Sequence, residues 1–233
     1  MEKKERFKIE RGVFDNLTLM TLYELMNKGY FNEVTSIIKE GKESGVFLGK
    51  GKENVAIKIY RTHAIDFKTR WQYLIGDPRF MNIRKNRVHV TYQWCLREYK
   101  NLVVAKEAKV SCPKPIIAKN NVLVMQFIGD DDVPAPRLNE MEVDKKDYLF
   151  IIKNIKKLVK AGIVHGDLSA YNILYHKKPV FIDFSQATTI TNKIALELLR
   201  RDVENINSYF KKRGVDVEEE ELLIEKIYKK VKR

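Results

Sequence analysis

From Asp15 to Lys28 the apolar positions Leu19, Leu22, Tyr23 and Met26 recur every three or four residues. That spacing predicts an amphipathic helix with Asp15 as its N-cap and Gly29 as its stop. From Ser36 to Tyr60 the pattern becomes that of β-strands, interrupted by turns at Gly41 and at Gly49-Lys50-Gly51. Thr62 to Val90 is polar, basic and poorly periodic, and a stretch of that length reads as a functional or mobile loop. Helical spacing returns from Tyr92 to Lys109. Val110 to Phe127 then predicts two or three short strands, one of them Val122 to Phe127. The run from Gly129 to Pro136 breaks every period and reads as a linker. Past it the pattern predicts a helix from Lys145 to Ala161, strands at Ile173–Tyr175 and Val180–Ile182 about a turn at His176–Pro179, and helices near Asn192–Arg213 and Asp216–Val231. The expectation is an α+β chain: a helical extension over 1–35, a β-rich lobe over 36–128, a hinge over 129–140 and a helical lobe over 141–233. There are no internal repeats.

Placed on these elements, four groups of residues point to phosphoryl transfer. His165-Gly166-Asp167-Leu168-Ser169-Ala170-Tyr171-Asn172 has the spacing of a protein-kinase catalytic loop, and Asp183-Phe184 follows the next hairpin where kinases carry a metal-binding Asp. Val55-Ala56-Ile57-Lys58 supplies an apolar strand ending in a Lys that can clamp phosphates, and Glu98 on the following helix can aim that Lys. The chemistry needs such a set. Asp167 would meet the attacking hydroxyl, Asn172 and Asp183 would hold a divalent cation against the phosphates, and Lys58 would neutralise spread negative charge. Each fragment alone is weak, and a Lys after three apolar residues is ordinarily a solvated strand end. Their order along the chain makes the signal specific. Gly41, Lys42, Glu43 and Ser44 stand where a glycine-rich phosphate loop is expected, although G-x-G-x-x-G is absent. Only 50 residues follow Asp183, A-P-E is missing, and Gly166 replaces the Arg of H-R-D. These features predict a protein-kinase-like bilobal fold with a reduced helical lobe and no extended activation segment, competent without loop phosphorylation.

Composition adds a partner. The 233 residues carry 44 Lys+Arg against 31 Asp+Glu, a net charge of +13, which suggests a polyanion and nucleic acid first of all. A Lys-rich surface for solubility or heat adaptation is the plain alternative. The segment from Arg61 to Lys100 holds Lys68, Arg70, Arg79, Arg84, Lys85 and Arg87, with Trp71, Tyr73 and Phe80 able to stack on bases or to pack the segment down. It is expected to be mobile and to contact RNA. Cys95 and Cys112 lack a zinc pattern and read as two buried thiols in a reducing cytoplasm. No apolar run is long enough to span a bilayer, and the Lys-rich start is not a secretory signal. No membrane role and a cytoplasmic monomer are expected.

With these residues assembled, the chain resembles the RIO family of atypical serine/threonine kinases, most closely its type 1 branch, from about Phe14 onward. The similarity lies in Gly41-Lys42-Glu43, Ala56-Ile57-Lys58-Ile59-Tyr60-Arg61, Gly76-Asp77-Pro78-Arg79-Phe80, Glu98-Tyr99-Lys100-Asn101-Leu102, the hinge Met125-Gln126-Phe127-Ile128-Gly129 with Pro134-Ala135-Pro136, and the catalytic loop. Departures are Lys39-Glu40 for the family's Ser-Thr, Ala170 for Glu, and Ser185 for Gly. About 35 residues precede the nucleotide loop, too few for the winged helix of the type 2 branch. The resemblance implies binding of ATP with Mg²⁺ or Mn²⁺, with Met125, Phe127 and Ile128 joining Gly41, Lys42, Glu43, Ser44, Lys58 and Glu98 at the nucleotide. It also implies serine autophosphorylation, a phosphoenzyme on Asp183, ATPase switching, and a part in maturing the small ribosomal subunit, with its precursor RNA as partner. Three other readings remain at this point: a small-molecule kinase of the aminoglycoside phosphotransferase type, favoured by H-G-D; the small kinase of the tRNA-threonylcarbamoylation complex; and a pseudokinase that clamps nucleotide.

Overall fold

The computed structural model describes residues 14–62, 67–75, 77, 79–80 and 84–228. Expectations placed on the first six residues, on Gly76 and Pro78, on the side chain of Lys68 and on the end of the last helix near Val231 lie outside the described residues. The chain divides into two compact units, one within Met1–Tyr99 and Lys114–Pro134, the other within Lys100–Pro113 and Ala135–Arg233.

The first unit is a sheet with helices. Helix α1 (Asn16–Asn27) starts where its cap predicts, with the Asp15 carboxylate accepting from the Thr18 amide at 2.7 Å. Five antiparallel strands follow, β1 (Glu33–Glu40), β2 (Ser44–Lys50), β3 (Val55–Tyr60), β4 (Pro115–Lys119) and β5 (Val122–Gln126), in the order β1-β2-β3-β5-β4. Leu22, Leu25 and Met26 of α1 share a core with Phe31, Val34, Phe47, Val55, Ile57, Ile59, Val122 and Val124. Strand β3 is central and every one of its residues is buried.

Two features of this unit differ from the sequence reading. The stretch expected to be an irregular mobile loop contains helix α2 (Phe67–Ile75). Leu74 is fully buried, Phe67 stacks on Trp71, and Tyr73 packs edge-on against Trp94. The period was hidden because a buried position of this helix is held by Arg70, 2% exposed. Of the three rings, Phe80 is buried and the other two pack on neighbouring rings. The second difference lies in the expected linker, where β6 (Gly129–Asp130) and β7 (Val133–Pro134) form a small hairpin, tied down by Lys50 Nζ at 2.5 Å from Asp132.

Helix α3 (Arg87–Glu107) is capped by Asn86, whose side-chain oxygen accepts from the His89 amide at 2.8 Å. The change of unit falls within this helix, so Glu98 belongs to the first and Asn101 to the second.

The second unit is built on α4 (Lys145–Lys160), opened by a capping box between Asp144 and Asp147. Short strands β8 (Ile163–Val164), β9 (Ile173–His176), β10 (Lys178–Phe181) and β11 (Thr188–Thr189) follow, then α5 (Ala195–Lys211) and α6 (Glu220–Tyr228). The β9–β10 turn is tighter than the four residues expected: Lys177 takes a positive φ of 60°, and Pro179 sits inside the strand opposite Tyr175. Residues 100–113 belong here, whereas the sequence reading puts them in the lobe over 36–128. Ser111 explains this, its carbonyl accepting from the Phe181 amide at 2.8 Å while its own amide donates to Asn154 Oδ1 at 2.9 Å. Among the described residues no helix is long and apolar enough to cross a membrane.

Candidate active site

In the first unit, burial of β3 takes Lys58 with it. The residue is 4% exposed, and its Nζ lies 3.0 Å and 2.9 Å from the two carboxylate oxygens of Glu98, which is fully buried. The Tyr60 hydroxyl also donates to Glu98, and Lys58 stands 5.2 Å from the centre of the Tyr60 ring. Two charges withdrawn from water hold together only when both are paired, and removing one partner of such a pair costs roughly 3–5 kcal/mol. Next along α3, Arg97 faces Asp77, which is also gripped by Arg79 Nη2 at 2.6 Å. Burial pushes the Asp77 carboxyl up, but hydrogen bonds from the Arg79 side chain and backbone, with the charges of Arg79 and Arg97, outweigh it and hold it below its ordinary value. Burial lowers the Arg97 guanidinium to about 10.

The loop Gly41-Lys42-Glu43-Ser44 is the β1–β2 turn. The Gly41 amide donates to the Ser44 carbonyl at 3.0 Å, and the Glu43 carbonyl accepts from the Arg61 amide at 2.9 Å. The Glu43 carboxylate receives Arg70 Nη2 at 2.8 Å. Met125 ends the buried part of β5, and Phe127 and Ile128 follow, half-buried, before the β6–β7 hairpin.

In the second unit the β9–β10 pairing sets Phe181 opposite Ile173, and the Ile182 amide donates to the Asn172 carbonyl at 2.9 Å. Asn172 and Asp183 therefore leave the same end of one hairpin. The Asn172 amide nitrogen donates to the Asp167 carbonyl at 2.8 Å and to its carboxylate at 3.0 Å. With that nitrogen so occupied, the side-chain oxygen is the atom with which Asn172 can meet a cation. Asp183 takes the left-handed conformation, φ 61° and ψ 67°, uncommon outside glycine and sustained here by the structure around it. Its carboxylate accepts from the Ser185 hydroxyl at 2.7 Å. The turn that follows is held by Asn101, whose amide donates to the Phe184 and Ala187 carbonyls, both at 2.9 Å. His165 is buried against Phe181 and Phe184, with Nε2 3.1 Å from the Ile182 carbonyl.

Gly166 has φ +80°, and a Cβ there would lie 3.1 Å from the Gln186 carbonyl. The Arg of an ordinary kinase loop would be strained at this position.

The sequence reading missed the floor of the catalytic loop. Asp202 on α5 accepts from the Gly166 and Leu168 amides, each at 2.8 Å. Its neighbours on the helix hold the carbonyls: Arg201 donates to Gly166 at 2.7 Å and Asn205 to Leu168 at 3.1 Å. The signal was present, since Asp202 falls among Leu198, Leu199, Val203, Ile206 and Phe210 on the buried face of α5. Burial raises its carboxyl to about 7 against an ordinary 3.8, opposed by the two backbone hydrogen bonds. The folded state thus holds this proton more tightly than the unfolded chain. Its contribution to stability is full below pH 4 and is lost as pH rises to about 7. Urea unfolding of wild type and Asp202→Asn across that window is expected to show a downward slope in the wild type that the variant lacks. Equal slopes would contradict this account of Asp202.

Both cysteines are buried and free. Burial raises Cys95 well above its ordinary value and Cys112 to about 11, so neither is a ready nucleophile. Among the described residues no group of three or more His, Cys, Asp or Glu side chains could cage a metal. The donors of Asn172 and Asp183 are hard oxygens. That is the chemistry Mg²⁺ takes when one or two protein ligands share it with phosphate oxygens and water.

The sequence of the RIO domain matches residues 44–223. The RIO-type serine/threonine-protein kinase Rio1 of Haloferax volcanii is 40% identical over 227 residues, covering 95% of this chain and 78% of that protein. The serine/threonine-protein kinase RIO1 of Homo sapiens is 36% identical over 226 residues, 93% of this chain but 40% of the human protein. Among solved structures, the Rio2 kinase–ADP/Mg²⁺–phosphoaspartate complex of Chaetomium thermophilum superimposes with a TM-score of 0.71 at 21% identity, over 92% of this chain and 66% of that one. That likeness establishes the protein-kinase-like α+β fold. By domain and by relatives alike, the chain belongs to the RIO kinases, an atypical serine/threonine kinase family, in the type 1 branch.

Proposed function

We propose that this chain uses ATP and Mg²⁺ to phosphorylate serine, its own included, or to hydrolyse ATP as a switch, and that it does so while bound to the maturing small ribosomal subunit. The observation that carries the chemical part is the hairpin end that presents Asn172, bonded to Asp167, together with a left-handed Asp183. In this reading Asp167 accepts the proton of the attacking hydroxyl or water, and Asn172 and Asp183 hold the metal, which would neutralise the charge of the transferred group. In the first unit Lys58 neutralises phosphate oxygens and Glu98 keeps it aimed. The loop at Gly41, Lys42, Glu43 and Ser44 covers the phosphates, and Met125, Phe127 and Ile128 border the base. The solved Chaetomium relative is described as a phosphoaspartate complex, which supports a covalent alternative in which a carboxylate oxygen of Asp183 attacks the γ-phosphorus and ADP leaves. Incubation with γ-labelled ATP and Mg²⁺, with and without small ribosomal subunits, separates the outcomes. Label on serine marks the kinase, release as phosphate on adding subunits marks the switch, and the absence of both would contradict the proposal.

The ribosomal part rests on the charge of +13 and on the family. Of the basic residues between 61 and 100, Arg70 and Arg79 are engaged within the protein, whereas Arg84, Lys85 and Arg87 are exposed. Neutralising those three together is expected to weaken binding to ribosomal RNA. It should also flatten the log–log salt dependence by about 0.7–0.9 for each phosphate that the variant no longer neutralises. ATP turnover without RNA should barely change. Unchanged subunit affinity across a salt titration would mean that these charges serve solubility.

A further inference from the structure

Arg70 is 2% exposed, yet only Nη2 has a hydrogen-bond acceptor, the Glu43 carboxylate at 2.8 Å; Nε and Nη1 are buried without one among the described residues. A buried guanidinium with unfilled donors is costly, and such a group normally answers to something other than packing. Its surroundings are specific. The guanidinium carbon lies 5.3 Å from the centre of the Tyr60 ring and 5.3 Å from that of Trp94, so two aromatic faces stand in for the missing acceptors. Tyr60 donates its hydroxyl to Glu98, the partner of Lys58. Trp94 also lies under Arg97, 5.0 Å away, which pairs with Asp77. One side chain of α2 thus touches the β1–β2 turn on one side and the ring that supports the Lys58–Glu98 pair on the other. At the turn end, Glu43 is about half exposed, so the link can be made and broken there without unpacking the core.

We propose that Arg70 is a positioning residue that couples the nucleotide loop, through Glu43, to the Lys58–Glu98 pair, through Tyr60, so that α2 sets the loop in the place where it receives ATP. This rests on the assignment of residues 41–44 and Lys58 to nucleotide binding, and it adds a coupling that neither the motif nor the ion pair contains.

The test uses the full chain with ATP·Mg²⁺. Arg70→Met keeps length and removes charge, Arg70→Lys keeps charge, and Glu43→Ala removes the acceptor from the exposed side, where misfolding is not a concern. Loss of one charge-assisted hydrogen bond corresponds to about tenfold in KM for ATP. Arg70→Met and Glu43→Ala should each show it, with kcat changed less than about threefold. The double variant should match the singles, about tenfold and not a hundredfold, because both substitutions break one link. Arg70→Lys should recover most of the affinity. A purely structural Arg70 would lower the melting temperature without this split between KM and kcat. Additive effects, or an unaltered KM in Glu43→Ala, would overturn the coupling while a Lys58→Ala control still lost turnover. If Lys58→Ala kept full turnover as well, the nucleotide-site assignment would fall and the coupling with it.

Discussion

Asp183→Ala is expected to abolish divalent-dependent turnover of ATP, and Asp167→Ala to abolish phosphoryl transfer while leaving nucleotide affinity nearly intact. In the proposed mechanism the two carboxylates hold different jobs. Asp183 accepts from Ser185 and leaves the β9–β10 hairpin at the end that also presents Asn172. Its loss would remove a hard-oxygen ligand from the proposed metal site. Asp167 is fixed by the Asn172 amide and stands where a hydroxyl or water would give up its proton. Nucleotide binding by calorimetry, with and without Mg²⁺, separates the two variants, and equal loss of affinity in both would contradict the division of labour. If turnover passes through Asp183 itself, denatured wild-type protein should carry a label removed by hydroxylamine, and Asp183→Ala should carry none.

Lys58→Ala is expected to lower turnover at least about a hundredfold, the usual loss when a preorganised charge is taken from a phosphoryl-transfer site. Glu98→Gln should lower it less, because Glu98 acts only through Lys58 and the Tyr60 hydroxyl can still bond to the amide. Burial adds a second consequence. In Lys58→Ala the fully buried Glu98 keeps only its other partners, so the melting temperature should also fall. Steady-state rates beside thermal melts distinguish lost chemistry from lost fold. Near wild-type turnover in Lys58→Ala would show that this strand Lys does not meet the phosphates.

Much of this molecule was legible because its elements announce themselves locally. The Asp15 cap, the apolar β3 and the period of α4 are short-range signals, and each stands within a residue or two of its expected place. What escaped is a set of buried polar residues. Arg70 hid the period of α2, since a charged residue at a core position reads as a loop. Asp202 and Asn207 lie on the apolar face of α5, where their work is to hold the Gly166–Leu168 loop and the Tyr148 hydroxyl. Arg97 and Asp77 meet across 20 residues of chain. Such positions become intelligible only once the partner is known, because a polar residue's cost is visible along the chain and its compensation is not. The grouping of 100–113 with the helical unit has the same origin, depending on Ser111 and Asn154, 43 residues apart.

The measurement that bears most directly on the account is a single-turnover reaction of the purified chain with γ-labelled ATP, run with Mg²⁺ and with a chelator. Label bound to protein and label released as phosphate are read separately. The account predicts that label leaves ATP only when Mg²⁺ is present and that Asp167→Ala stops its arrival on serine and its release as phosphate. Turnover that ignores the metal, or label reaching serine or phosphate at the wild-type rate in Asp167→Ala, would contradict it.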